Sequence, residues 1–419
     1  MTHAILPAIT NQAERITSPD TKHTHRYLLW LLLSCLLPIL QGCLSPITLQ
    51  HAVSTYDEAT TNAISRQLLT NIARAHHHQP IHFTGVSNVA ATFDFRFSAG
   101  VTPALGGLSG NTLMPIFGGS VAENPTISIV PIEGEEFTRR LLTPFQQSKF
   151  MLLLRQRFDI DLLLRLMAQE VRIHDYPSPT IYRNDPSDTT GYEMFRKAVL
   201  HLSAIQDQNQ LQAEPLSLEH DWTLPVASVS AEGFHTLEKK FSIHHDQQKG
   251  LFILRQKKQG PILITNYDPG RLSEEEREQL SEEAMKWDPN DVAFDIRPGG
   301  TGEKWPMRGI FRLRSFHAII SALGRSLGDE PERHVEKDPR TPPILRDENP
   351  DATMALLVTN APPLNADLSI RSYGKYYAVN NQQPHTRWNR DAFQMLYLLF
   401  QMTVTDLPHT SVPSITIAK

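Results

Sequence analysis

Residues 152–171 read LLLRQRFDIDLLLRLMAQEV, and how this stretch is parsed decides the kind of fold the chain builds. Leu152, Leu153, Leu154, Leu162, Leu163, Leu164, Leu166 and Met167 are spread nearly all round a helical wheel, so the spacing predicts a helix buried between layers. Asp159 and Asp161 interrupt the run. Carboxylates two residues apart point to different faces and make a poor acid–base pair, so they read as a break and an N-cap between two helices. Upstream, Phe137, Leu141 and Leu142 open this helical region and Pro144 breaks it, the whole extending from Glu133 to Arg172.

Towards the N-terminus the period changes. In Thr92 to Ser98 the residues Phe93, Phe95 and Phe97 alternate with Asp94 and Arg96, which predicts a strand with one apolar face. A Gly-rich stretch, Gly100 to Ser120, follows, and Thr126 to Ile132 resumes the strand pattern. Two readings stay open for this strand–loop–strand unit. One is a core hairpin with a mobile loop; the other is an amphipathic hairpin, residues 92–132, that joins copies from neighbouring subunits in a membrane barrel. Further upstream, Ile64, Leu68, Leu69, Ile72 and Ala73 give a helix over Tyr56 to Ala75, with His76, His77 and His78 at its end. Adjacent histidines do not converge on one metal, so they read as a solvated helix end.

Towards the C-terminus, residues 177–191 carry Pro, Asp and Thr and read as a linker between an N-terminal region (43–176) and a C-terminal one (192–419). Tyr192 to Ile205 is helical, and Phe234 to Tyr267 reads as strands, with a segment ending at His245, a turn at Asp246 to Gly250, then Leu251 to Arg255 and Pro261 to Asn266. Ser273 and Glu276 form a capping box that opens an acidic helix to Met285. Asp291 to Arg297 is strand-like and Phe311 to Leu327 helical. Residues 329–351 are charged and Pro-rich and are expected to form an exposed, mobile loop. Leu356 to Val358, Asp367 to Ser372 and Tyr376 to Val379 suggest three strands, and Phe393, Leu396, Tyr397 and Phe400 a helical stripe with Asn389 as cap. Ser414 to Ala418 would return as a terminal strand. Interleaved helices and short, mostly antiparallel strands make the expected class α+β, in two packed regions.

At the start of the chain, Tyr27 to Leu40 is apolar, follows Lys22 and Arg26, and is too short for a bilayer core, which takes about 20 residues. It reads as an export signal. Twenty-six residues precede it, longer than the usual charged leader, which fits a working start downstream of Met1. Leu40, Gln41, Gly42 and Cys43 resemble the lipobox of bacterial lipoproteins: an aliphatic residue, a tolerant position, a small residue, then cysteine. That resemblance implies removal of residues 1–42, acylation of Cys43 with fatty chains such as palmitate, and, with Leu44 rather than Asp next, sorting to the outer membrane. Two or three chains on one residue anchor stably where one does so only marginally. The protein is expected to be anchored, not spanning.

Composition sets further limits. Removing three basic and two acidic leader residues from the 40 and 45 of the whole chain leaves 37 and 43, a net charge of −6, which argues against nucleic acid as partner. Cys35 lies in the leader, so Cys43 is the only mature cysteine; no intrachain disulfide or thiolate metal site follows, and no cofactor is expected. The nucleophile-elbow pattern is missing. Ser372-Tyr373-Gly374-Lys375 matches S-x-x-K but falls on a hairpin turn without its companion motif, and Gly299 to Lys304 fails the phosphate-loop spacing.

The mature chain is similar to an uncharacterised group of proteobacterial envelope lipoproteins, through the Leu68 to Ala75 helix, the run Pro125 to Leu142 (PTISIVPIEGEEFTRRLL), Asp161 to Arg165 and the C-terminal hairpin and helix. The likeness implies a globular exported body and carries no activity. The expected function is therefore a lipid-anchored, non-catalytic interaction or accessory subunit of an envelope assembly, facing the periplasm, with membrane lipid and other envelope proteins as partners and homo-oligomerisation open. The rivals are a periplasmic hydrolase whose site assembles only in the fold, and an oligomer that inserts the 92–132 hairpin in the outer membrane.

Overall fold

The computed structural model describes residues 44–103, 113–174, 178–284, 286–345, 349–364 and 366–404. Helix α1 (Leu44–His76) leads the described residues. The chain divides inside it, into an N-terminal unit ending at Thr61 and a body from Asn62 onward. Leu68, Leu69, Asn71, Ile72 and Ala73, the residues of α1 described as buried, all belong to the body.

The body is α+β. After α1 come β1 (Phe83–Pro103) and β2 (Leu113–Ile132), then α2 (Glu135–Leu142), α3 (Gln147–Arg155), α4 (Ile160–Met167), β3 (Ala168–Ile173), β4 (Thr180–Arg183) and α5 (Thr189–Asp207). There follow β5 (Gln212–Pro225), α6 (Ala231–Glu238), β6 (Ser242–Asp246), β7 (Leu251–Thr265), α7 (Glu274–Ala284), β8 (Asp291–Ile296), β9 (Met307–Leu313) and α8 (Phe316–Arg325). The chain closes with β10 (Leu356–Thr359), β11 (Ser369–Ser372), β12 (Lys375–Val379) and α9 (Thr386–Gln401). A seven-stranded sheet runs β4-β3-β9-β8-β7-β5, with β6 also on β7. It is antiparallel except between β7 and β8. The sheet takes strands from both sides of residues 177–191, which themselves contribute β4 and the Asp188 cap of α5.

The central stretch behaves as two helices and a strand. Asp159 caps α4 by accepting from Asp161 N, and all eight residues of α4 are buried, as an all-round apolar helix requires. The helix does not continue to Val171. Its last carbonyls are taken instead by tertiary donors: Asn184 Nδ2 bonds Arg165 O and Ala168 O, Arg314 Nη2 bonds Ala168 O at 2.6 Å, and Arg314 N bonds Met167 O. With those acceptors satisfied, residues 168–173 pair with β9 and β4 as a strand, so tertiary pairing overrides helical propensity there.

Other expectations meet the structure differently. The three C-terminal strands form a sheet in the order β10-β12-β11, and Ser273 and Glu276 exchange capping hydrogen bonds at 3.0 and 3.2 Å. The Ser372–Lys375 match is the β11–β12 turn, with Tyr373 and Gly374 at positive φ. Residues 231–238 are helical where a strand was expected. Gly100 to Ser120 is not all loop, since β1 reaches Pro103 and β2 starts at Leu113. The 329–351 segment is not exposed throughout: Val335, Asp338 and Thr341 are buried among exposed neighbours, and the described part lies on the body as a strap. The Ser414–Ala418 strand lies outside the described residues.

Candidate functional site

Two features stand out from the body's packing: a two-stranded ribbon and a polar cluster under the strap. The ribbon is a sheet of its own, β1 against β2 in register from Phe83–Ile132 to Pro103–Leu113 with one bulge near Val86. Strands of 21 and 20 residues reach about 65 Å at ~3.3 Å per residue. Among the described residues neither outer edge pairs with a third strand. An isolated two-stranded hairpin is marginal in water, and an unpaired edge invites another strand.

The ribbon's sequence is periodic well beyond the stretch from Phe93 to Phe97. From Val89 to Val101 every odd residue is apolar, Val89, Ala91, Phe93, Phe95, Phe97, Ala99 and Val101, while the even set is Asn, Ala, Thr, Asp, Arg, Ser, Gly and Thr from 88 to 102. The register sets the odd positions opposite Ile127, Pro125, Glu123, Val121, Gly119, Phe117 and Pro115, and directly opposed residues share a face. One face is thus apolar with a single charge, Glu123. The other is mostly small and polar. Reading Gly100 to Ser120 as loop hid this: glycines inside a strand look like breakers, yet the alternation continues through Gly100.

The foot of the ribbon is fixed in the main core. Phe83 is 1% exposed and stacks on Phe400 at 4.6 Å, with Phe137 edge-on at 6.1 Å and Phe316 at 6.2 Å. Thr84 N donates to Gln67 Oε1 at 2.8 Å, and the Asn71 side chain clips both the N–H and the carbonyl of His82. The ribbon therefore leaves the body from a rigid seat.

The polar cluster is built by α4 and α5. Arg196 Nη1 donates to Asp161 Oδ1 at 2.5 Å with both side chains almost wholly buried. Burial pulls the Arg196 guanidinium down, but the adjacent carboxylate wins and its pKa is raised. Arg165, also buried, donates to Pro350 O, Asp351 O and Thr353 Oγ1, lies 3.8 Å from Glu332, and has its pKa lowered chiefly by desolvation. Arg314, held by carbonyls alone, is pulled down to about 10 by the same cause. Arg196 Nη2 reaches Asn349 Oδ1 at 2.9 Å, and Thr353 donates to Glu332. These contacts clip both ends of the strap to the body. The cavity among them is about 30 Å³, room for about one water. Its charged lining residues Arg165, Arg314 and Glu332 hold the strap and the end of α4 in place.

The residues marked by the sequence fall in three places. Leu40, Gln41, Gly42 and Cys43 lie outside the described residues, as does the leader. The histidine run is dispersed: His77 Nε2 meets Tyr377 Oη at 2.9 Å, and His78 faces Asp329 at 3.4 Å. His244, His245 and Asp246 close β6 at the β6–β7 hairpin turn, where Asp246 Oδ1 accepts from Gln248 N and Lys249 N. Among the described residues no group of three His, Cys, Asp or Glu is placed to hold a metal ion, and no helix is long and apolar enough to cross a membrane. No protein-family model matches the chain, and no curated protein or solved structure is similar to it.

Proposed function

We propose that this protein is a lipid-anchored, non-catalytic subunit of the bacterial outer membrane whose copies join their β1–β2 ribbons into a closed β-barrel. In this reading residues 1–42 are removed at the Leu40–Gln41–Gly42 signal and Cys43 carries the acyl chains. The observation that carries it is the unpartnered ribbon with thirteen residues of unbroken apolar alternation, Val89 to Val101. A barrel strand needs about 9–11 residues to cross the apolar core. In hydrocarbon an open edge leaves N–H and C=O groups unmet at several kcal/mol each, so a lone hairpin cannot lie there and ring closure is the stable solution. Apolar residues would then face lipid and the Ser, Thr, Asn and Gly positions a water-filled lumen.

The test is membrane-extracted protein, first weighed intact, then imaged and reconstituted in planar bilayers. Acyl mass on a chain starting at Cys43, ring-shaped particles and discrete conductance steps are expected. Phe95→Arg, which costs about 2–4 kcal/mol per copy near the bilayer midplane, should abolish the steps while the body stays folded. Monodisperse single chains without conductance would refute the barrel, and an unacylated chain would refute the anchor.

A further inference from the structure

A second cavity, of about 330 Å³, opens along α2, the helix that follows β2 after two residues. Its walls are α2, the α2–α3 connection, the start of α3 and the C-terminal end of α9. Glu136, Arg139, Arg140 and Thr143 recur at the spacing of one helix face and supply one side; Lys149 of α3 supplies the other. Among the described residues three cations thus line the cavity against a single carboxylate. Glu136 accepts from both arginines, at 2.7 Å from Arg140 Nε, and those bonds hold its carboxyl below the usual range. Arg140 spends only Nε in this way, so its terminal nitrogens have no protein acceptor among the described residues. Lys149 Nζ gives one bond, to Met402 O at 2.7 Å, and lies 5.4 Å from the Phe145 ring centroid, so two of its donors have no acceptor among the described residues. Desolvation and the nearby Arg140 charge lower its pKa, as expected of an ammonium facing cations rather than a carboxylate.

We propose that this cavity is a phosphate-binding site, with Arg139, Arg140 and Lys149 as its cationic wall. A carboxylate already sits on the arginines and leaves donors over, whereas a phosphate offers several oxygens in different directions. A guanidinium fork from one helix and an ammonium from another match that geometry. Two sources supply such a group: an anionic phospholipid headgroup, or phosphate in solution. The position favours the lipid. On β1 the apolar alternation stops at Val89, opposite Ile127, five residues before β2 ends at Ile132, or about 17 Å of strand, which is ~12 Å along the membrane normal at a 45° tilt. That places the cavity beside the headgroup layer. The lipid source rests on the barrel reading; the phosphate site itself does not.

The experiment uses the full chain, detergent-extracted, in phosphate-free buffer. Inorganic phosphate is titrated calorimetrically, and dioleoyl phosphatidylglycerol or dioleoyl phosphatidylcholine is titrated with adducts counted by native mass spectrometry. Phosphate binding that weakens at least tenfold in Arg140→Gln/Lys149→Gln, with one phosphatidylglycerol retained per chain by wild type alone, supports a headgroup site. Phosphate binding lost in the variant without lipid retention keeps the site and assigns it to free phosphate. Should the double variant fail to fold, Lys149→Arg, which retains the charge, must bind as wild type does, and Arg139→Gln must bind less. Wild type that binds neither probe, or variants that bind as wild type does, overturns the proposal. Conductance measured on the same preparation separates the two readings: a pore that binds no phosphate sinks only the site, and a phosphate binder without a pore sinks only the barrel.

Discussion

Replacing Asp161 with Asn removes one half of a pair that has almost no access to water. Its partner Arg196 is 1% exposed and wholly surrounded by protein, and among the described residues Asp161 is its one carboxylate contact within 4 Å. Removing one member of a buried ion pair leaves an uncompensated charge and costs about 3–5 kcal/mol. For a body of roughly 340 residues the unfolding entropy is about 0.7 kcal/mol/K, so a loss of ~4 kcal/mol lowers Tm by about 6 °C. The pair also positions Arg196 for Asn349, and Lys337 and Arg340 lie on the strap that this contact closes. The variant should therefore be cut by trypsin within the strap before the rest of the body is digested. Urea unfolding followed by the fluorescence of buried Trp305 and Trp388 reads the first effect, and timed proteolysis with mass analysis the second. The double replacement Asp161→Leu/Arg196→Met removes both charges and should cost far less than Asp161→Asn and Arg196→Met added together. Asp161→Asn within 1 kcal/mol of wild type, or strict additivity in the cycle, would refute the pair as the clip that seats the strap.

Two further outcomes follow from the strap's other contact and the turn beside it. His201 donates to or accepts from Thr341 Oγ1 at 3.1 Å, and burial, helped by the Arg340 charge and opposed by Asp338, pulls its pKa from the ordinary 6.5 to about 4. The unfolded chain then takes up a proton between pH 6.5 and 4 that the folded chain refuses. Stability is lost as pH falls through that window, by up to about 3 kcal/mol, and His201→Gln should flatten this part of the pH–stability curve in urea titrations. An unchanged curve would show the histidine to be innocent. Gly302 has φ +90°, and a Cβ there would stand 2.7 Å from Ile205 Cδ1 and 3.0 Å from His201 Nε2; Gly299 has φ +95° with open space around it. Gly299→Ala should cost about 1 kcal/mol from backbone strain alone, and Gly302→Ala about 2–3 kcal/mol from strain plus overlap. Equal losses in the two urea midpoints would contradict the crowding.

How much of this was legible in the residues depends on whether the deciding partner was local. The Asp159 cap, the Ser273–Glu276 box and the β11–β12 turn are set by neighbours within four positions, and the sequence pattern finds them. The end of α4 is set by Asn184 and Arg314, 16 and 146 residues from Ala168, whose carbonyl they take, so a helical reading ran on into β3. The strap was misjudged for the same reason: a charged, Pro-rich run looks solvated until Arg165 and Arg196 are known to reach for it from the core. Arginines inside all-round apolar helices were the available signal. The ribbon is legible only in part, since the alternation around the three phenylalanines runs into glycines that resemble strand breakers.

The body and the ribbon follow opposite logics. Even the deepest charges of the body are met by protein: Arg196 by Asp161 and Asn349, Arg165 by strap carbonyls, Arg314 by the end of α4. The ribbon has a ladder on one side of each strand and nothing described on the other. Its first residue, Phe83, belongs to the same aromatic cluster as Phe316 and Phe400, so opening the foot means opening the core, whereas beyond Val86 backbone pairing is what the ladder itself supplies. Local stability should fall along the ribbon from foot to tip. A body that is already complete and a ribbon that is not can be joined to further copies by edge pairing alone. Assembly would then have no need to refold the body, and the seat at Phe83 would fix the angle at which each ribbon is offered to the next.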